Sequence, residues 1–146
     1  MNDDDRQAKN HPLIAEFVQL VDQTASDGVP CFADIETYPF MKFWRNFIIH
    51  RYEEDVEDFR TIFYGSHIVE IYQRDCTGLL ISEMGFGEAE GMIRKMNKKV
   101  LDTKERLFST NSLFWKGQNH KVWHQVKMPL RRNGNINEVL VCMTFD

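Results

Sequence analysis

The sequence predicts a single α+β domain, because an N-terminal helical pattern, a hairpin pattern and further helical patterns are followed by three consecutive strand patterns. The length of 146 residues fits one ordinary domain. A chain of this size buries about two-thirds of the surface that it exposes when unfolded. Apolar residues make up 42% of the chain and aromatic residues 12%, close to globular proteins in general. The chain can therefore build a packed, aromatic-rich core.

The N-terminal part of the chain divides into a tail and a helix. Residues 1–10 contain three consecutive aspartates and almost no apolar side chain, so we expect a disordered acidic tail. Within residues 11–28, Leu13, Phe17 and Val21 recur at four-residue intervals after a proline. That spacing is the stripe of an amphipathic helix with proline in its first turn.

The middle of the chain predicts a hairpin followed by helices. Residues 46–52 and 59–64 are rich in β-branched and aromatic side chains and flank an acidic loop, the pattern of two paired strands. A short helix is predicted to start near Ser66, and a longer one after two glycines further on. The apolar stripe of the longer helix consists of Ala89, Met92, Ile93, Met96 and Val100.

The last third of the chain predicts a three-stranded meander over residues 106–115, 120–131 and 138–145. An Asn-Gly pair between the last two segments is a strong hairpin signal. Apolar residues alternate with other residues in both of these segments, which predicts that one face of the meander is buried.

Two blocks of the chain resemble a family of PAS domains common in alphaproteobacteria. The first block, residues 58–84, resembles a "dFryr..G" strand followed by a helix and a "G.DltG" turn. Its matching residues are Phe59, Arg60, Gly65, Asp75, Thr77 and Gly78. The second block, residues 121–145, is similar to the closing hairpin of the family and matches at Met128, Pro129, Leu130 and Gly134. Gln73 and Cys76 depart from the pattern at positions where Gly and Leu are usual.

The resemblance implies a PAS fold over residues 29–146. That fold is a five-stranded antiparallel sheet with helices on one face that enclose a pocket. It also implies a sensor or interaction module, often a homodimer formed through an N-terminal helix. Two interpretations of the stripe at Leu13, Phe17 and Val21 stay open: it forms a dimer interface, or it covers the sheet of its own domain.

Composition argues against several partners. The net charge is −4, and the basic residues are scattered instead of forming a stripe, so we expect no nucleic-acid partner. No segment approaches the roughly 20 apolar residues that span a bilayer, and the acidic start differs from a signal peptide. We therefore expect a cytoplasmic protein without a membrane partner. The odd number of cysteines and their wide spacing predict reduced, structural thiols.

No pattern of catalytic or metal-binding residues stands out in the sequence. The histidines lack the spacing of a metal site, and the serines and cysteines lack the context of an activated nucleophile. His67 lies nearest to the helical middle, where haem-binding PAS domains take their axial ligand, and we interpret it as structural or as part of a pocket wall. His124 shares its side of a strand with buried residues, so it needs a hydrogen-bond partner.

The hypothesis drawn from these residues is a small, partly aromatic ligand held between the longer helix and the strands. The candidate ligand-binding residues are Tyr64, His67, Tyr72, Met92, Met96, Trp115, His124 and Met143. The alternative for each of them is a structural role in the core. The favoured function is a non-catalytic sensory or regulatory module of signal transduction, for which the sequence names no cofactor. A small enzyme or carrier with His124 in its cavity, and a pure dimerisation scaffold, are the alternatives.

Overall fold

The computed structural model describes the backbone of residues 2–113 and 118–146, and the side chains of residues 2–112 and 121–146. The helices are α1 (Asp3–Asn10), α2 (Pro12–Thr24), α3 (Phe32–Ile35), α4 (Ser66–Tyr72) and α5 (Ala89–Thr103), with 3-10 helices at Tyr38–Asn46 and Ile81–Glu83. The strands are β1 (Phe47–Glu53), β2 (Asp58–Tyr64), β3 (Leu107–Leu113), β4 (Gln118–Arg132) and β5 (Asn135–Phe145).

The five strands form one antiparallel sheet in the order β2-β1-β5-β4-β3. The predicted α+β fold with a five-stranded antiparallel sheet is therefore confirmed. Asn133 and Gly134 join β4 to β5 with positive φ angles of 53° and 81°, as the predicted Asn-Gly turn requires. β5 lies at the centre of the sheet, between β1 and β4.

Helices cover both faces of this sheet. The middle helices α4 and α5 pack over one face, on a core that includes Ile48, Val141 and Met143. The N-terminal helices cover the other face, on a second core that includes Ile49 and Cys142. The expectation that only one face of the C-terminal meander is buried was wrong, because the N-terminal helix covers the face that would otherwise meet water.

The predicted N-terminal amphipathic helix is present as α2, and its stripe packs on its own sheet. Phe17 and Val21 are fully buried, and the Phe17 ring contacts Phe43 and Phe47 at centroid distances of 5.5 and 5.3 Å. Leu13 is partly buried at the edge of the same core. Of the two open interpretations, the structure therefore supports the one in which the stripe covers its own sheet. Phe17 and Val21 are not available to a second subunit.

The acidic N-terminus is also more ordered than the sequence predicts. Instead of a loose tail, residues Asp3–Asn10 form α1, in which Ala8 is fully buried. The Asn2 side chain caps this helix by accepting the Asp5 N–H at 2.8 Å, and its three aspartates lie in the first turn, where the helix dipole favours negative charge. Capping and one buried alanine thus stabilise a segment that is poor in apolar residues.

Within the described residues, no helix combines the length and the apolar character needed to cross a membrane.

Candidate functional site

A small cavity lies between the sheet and the middle helices. Its volume is about 40 Å³, and a water molecule needs at least about 10–15 Å³ measured in this way. The cavity therefore has room for water, and a larger ligand requires one of its walls to move. The apolar and aromatic side chains of its wall are Ile48, Tyr64, Tyr72, Met84, Phe86, Ile93, Val141 and Met143. Its polar side chains are His50, Gln125 and Lys127.

The polar part of the wall is a buried hydrogen-bonded chain that links α5 to two strands. Lys127 Nζ donates to Asn97 Oδ1 at 2.5 Å, and Asn97 Nδ2 lies 2.9 Å from His50 Nδ1. The three residues are at most 3% exposed. Asn97 therefore holds the lysine of β4 and the histidine of β1 in fixed positions at the cavity.

The donor and acceptor groups of Lys127, Asn97 and His50 determine where the proton of the His50 ring lies. A protonated lysine only donates hydrogen bonds, so the Asn97 oxygen faces Lys127 and the Asn97 amide N–H groups face His50. His50 Nδ1 must then accept, which leaves the proton of the neutral ring on Nε2. His50 Nε2 has no hydrogen-bond partner among the described residues. The cavity is therefore lined by a buried N–H donor without an acceptor.

Burial changes the protonation of both basic groups. It lowers the pKa of His50 to about 3, with the positive charge of Lys127 as a second cause, so this imidazole is neutral. Burial also lowers the pKa of Lys127 to about 7. Burial is the cause of this shift, and no carboxylate among the described residues opposes it. Lys127 therefore gains or loses its ammonium proton near neutral pH.

Three of the predicted ligand-binding residues line the cavity: Tyr64, Tyr72 and Met143. Burial raises the pKa of both tyrosines far above the ordinary value, so both phenols stay protonated. The Tyr72 hydroxyl contacts Met143 Sδ at 4.0 Å. These residues supply an aromatic and polarizable wall of the type that the sequence predicted.

The other predicted residues lie elsewhere. Met92 packs against the same core without lining the cavity, and Met96 lines an open cleft beside α1 and β3. His67 contacts the Phe145 ring at a centroid distance of 5.7 Å. Trp115 lies outside the described residues. Of the predicted helix stripe, Met92, Ile93 and Val100 pack on this core, and Ile93 is the one of them that lines the cavity.

His124 lies on the opposite face of the sheet from the cavity, so the prediction that it anchors a ligand there was wrong. Its Nδ1 is 2.8 Å from Thr110 Oγ1, and its Nε2 is 2.6 Å from Asp146 Oδ2. His11 Nε2 approaches the same carboxylate at 3.4 Å. The sequence correctly predicts that the His124 side chain lies on the same side of its strand as the alternating apolar residues and needs a hydrogen-bond partner. That side faces the N-terminal helices.

His11, His124 and Asp146 offer ligand atoms within 4.8 Å of one another, a set that is able to hold a metal ion. However, His11 Nδ1 accepts the N–H of Leu13 at 3.3 Å, which places the proton of the neutral ring on Nε2. A metal at His11 Nε2 would displace that proton and break the bond that caps α2. The arrangement fits a hydrogen-bonded cluster better than a preformed metal site.

This cluster predicts a small loss of stability in acid. The hydrogen bond with His124, and to a lesser degree the bond with His11, lower the pKa of Asp146 below its ordinary 3.8. Its contribution to stability is therefore present above pH 3.8 and lost as the pH falls through the lower pKa of the folded state. Since the carboxylate is 59% exposed, we expect Asp146→Asn to cost less than about 1 kcal/mol near pH 7.

Urea unfolding of wild type and Asp146→Asn at several pH values between 2 and 7 measures this contribution. Glu54→Gln at the exposed hairpin tip is the control for a general change in charge. A difference between wild type and Asp146→Asn that is the same at pH 2 and pH 7 would contradict the expectation.

Four buried polar residues at the cavity were not predicted as site residues: His50, Asn97, Gln125 and Lys127. A signal for two of them exists in β4 and β5. Residues 139–143 of β5 are apolar without alternation, which is typical of a strand covered on both faces. The neighbouring strand is then covered on both faces as well, so Gln125 and Lys127, which alternate with the apolar set, become buried.

The chain was compared with known proteins in three ways. No family model, no curated protein and no solved structure matches it.

Proposed function

We propose that this chain is a non-catalytic sensory or regulatory module of the PAS type that binds a small molecule in the cavity between α5 and the sheet. The two sequence blocks that resemble PAS domains support this proposal. The α+β architecture, in which the middle helices cover one face of a five-stranded antiparallel sheet, is consistent with the resemblance. Binding there would change the packing of helices on the sheet and so alter the surface that a signalling partner contacts.

The observation that carries the proposal is the buried chain Lys127–Asn97–His50. A buried lysine without a carboxylate costs stability, and apolar residues of similar volume commonly serve a core better. Since the sheet already has extensive apolar packing on this face, the polar chain has little value as a purely structural feature. Its place in the wall of a cavity lined by aromatic side chains favours a role in binding.

Entry to the cavity would occur at Phe86. This residue lies between Gly85 and Gly87, whose φ angles are 76° and 62°, so the backbone on both sides of it has conformations that suit glycine. Its ring is partly buried against the core and lies 5.5 Å from the ring of Tyr72. Movement of this one ring would enlarge the cavity without disturbing the sheet.

A thermal-shift screen against a library of small metabolites tests the proposal, together with native mass spectrometry of the purified protein. We expect at least one compound to raise the melting temperature of the wild type by several degrees. The matched control is Ile93→Phe, which places a bulkier ring at the cavity wall and should abolish that shift while the variant stays folded. A wild type with no co-purified compound and no responding compound would overturn the proposal.

The geometry of the two faces of the sheet bears on the alternative functions. An enzyme or carrier that uses His124 inside the cavity is not supported, since His124 lies on the other face of the sheet.

A homodimer stays a prediction, and its interface would have to use residues other than Phe17 and Val21. Tyr38 and Met41, which are 85% and 61% exposed beside α2, are available for such a contact. Sedimentation velocity of wild type and Met41→Glu tests it.

A further inference from the structure

Two polar side chains of the cavity wall, Lys127 and His50, offer hydrogen-bond donors. The protonated Lys127 has three N–H donors, and one of them is used by Asn97 Oδ1. The Nε2–H of His50 is a further donor, and it has no acceptor among the described residues. Gln125 uses its amide group to donate to Ser109 Oγ at 3.0 Å.

No described residue accepts a hydrogen bond from His50 Nε2, and the side-chain acceptor of Lys127 Nζ is the neutral amide oxygen of Asn97. Asn97 Oδ1 is engaged by Lys127, and Asn97 Nδ2 is turned toward His50. Burial lowers the pKa of Lys127, and no carboxylate of a described residue opposes that effect. A bound group with two acceptor atoms and a negative charge would satisfy His50 and Lys127 at the same time.

We infer that the small molecule bound in this cavity carries a carboxylate, which accepts hydrogen bonds from Lys127 Nζ and His50 Nε2, attached to a small apolar or aromatic body that packs on the surrounding rings. This inference rests on the proposed function and specifies the ligand class of the same site. The carboxylate replaces the missing counter-ion of the lysine. The apolar body lies toward Tyr64, Tyr72 and Phe86, which line the cavity with the polar groups.

A carboxylate fits better than a neutral polar group because of charge. A hydrogen bond to a charged group is worth about 1.5–3 kcal/mol, which corresponds to roughly 10–100-fold in affinity. A neutral amide of the same shape gains little of this from the lysine, and its N–H₂ group would place further donors beside Lys127 Nζ and His50 Nε2. The site is therefore expected to discriminate between an acid and its amide.

Binding would also depend on pH. The other titratable groups that line the cavity are His50, which is neutral, and the protonated phenols of Tyr64 and Tyr72. Lys127 is therefore the group whose protonation changes near neutral pH. Since the carboxylate binds the protonated lysine, affinity should fall by up to about tenfold per pH unit above pH 7.

The test compares benzoate with benzamide, two probes of nearly equal shape that differ in charge. Isothermal titration calorimetry is done at pH 6 and pH 8 on the wild type, Lys127→Met and Phe86→Ala. Lys95→Met, which removes an exposed lysine of α5, is the matched control for net charge. Methyl resonances of Ile48, Ile93 and Met143 report whether the probe lies in the cavity.

We expect wild type and Lys95→Met to bind benzoate at least about tenfold more tightly than benzamide at pH 6, and to lose most of this preference at pH 8. Lys127→Met should bind both probes equally, and Phe86→Ala should bind benzoate at least as well as the wild type does. Equal binding of both probes by the wild type, unchanged in Lys127→Met, would overturn the carboxylate inference and leave the proposed function intact. Binding of neither probe, even by Phe86→Ala, would overturn the carboxylate inference, and the metabolite screen above separately decides the proposed function.

Discussion

Lys127→Met is expected to raise the free energy of unfolding by about 1–3 kcal/mol at pH 7 in the absence of ligand. Burial of the charged lysine destabilises the folded wild type. The same burial lowers the pKa of Lys127 from 10.5 to about 7. Methionine fills a similar volume without a charge. Part of the gain is offset, since Asn97 Oδ1 then loses its donor, at a cost of about 1–3 kcal/mol.

The gain in the free energy of unfolding that Lys127→Met brings should become smaller as the pH rises above 7. Between pH 7 and pH 10.5 the unfolded wild type holds the lysine proton that the folded protein has released. Wild-type stability therefore rises with pH across this window, while the contribution of residue 127 in the variant is constant. The difference between Lys127→Met and wild type should shrink from pH 7 toward pH 10.5. Below pH 7 it should be constant, because the lysine is protonated in both states.

Urea unfolding of wild type and Lys127→Met at pH 6, 7, 8.5 and 10 measures this difference. The tyrosines that titrate at high pH are present in both proteins, so their effect cancels in the difference. Lys95→Met should show no such pH dependence, since residue 95 is exposed on α5. A variant that is less stable than the wild type by the same amount at every pH would contradict this account of Lys127.

Gly65→Ala is expected to destabilise the fold by roughly 3 kcal/mol or more. A Cβ atom at residue 65 would lie 2.5 Å from the Arg45 carbonyl oxygen and 2.7 Å from that of Trp44. These are backbone atoms, which cannot rotate away as a side chain would. The Gly65 N–H also donates to Phe47 O at 2.8 Å, so the chain is held at this close approach.

The matched control is Gly91→Ala on the exposed surface of α5. A Cβ at residue 91 meets no atom within 4 Å and the backbone is helical, so alanine should stabilise by about 0.5–1 kcal/mol. Denaturant unfolding of the two variants should therefore give free energies of unfolding that differ by roughly 3.5 kcal/mol or more. Two variants within 1 kcal/mol of each other would show that the close approach at Gly65 is relaxed at little cost.

The helices and strands of the fold were largely predictable. The β1–β2 hairpin, α2, α5 and the C-terminal strands lie within a few residues of their predicted positions, because each has a period or a turn signal in its own sequence. One exception is α1, where the predicted tail is helical. Its order depends on the contact of Ala8 with the second core, which local composition does not reveal.

The site was predicted only in part. Tyr64, Tyr72 and Met143 were identified as pocket residues from their aromatic and thioether side chains, and all three line the cavity. Lys127, His50 and Asn97 were missed, because a polar residue in a strand or helix is by default expected to face water. Their burial follows from the helices on both faces of the sheet and from the pairing of distant segments.

The sequence by itself determined the α+β class and the type of most elements. It also determined the alternation that places His124 with Val126 on one side of β4 and Gln125 with Lys127 on the other. Only the tertiary structure decided which side meets the cavity. The reason is that strand periodicity divides the side chains between two faces but does not show which helix covers each face. That is decided by the packing of α2 on one face and α5 on the other, which requires contacts between residues far apart in the chain.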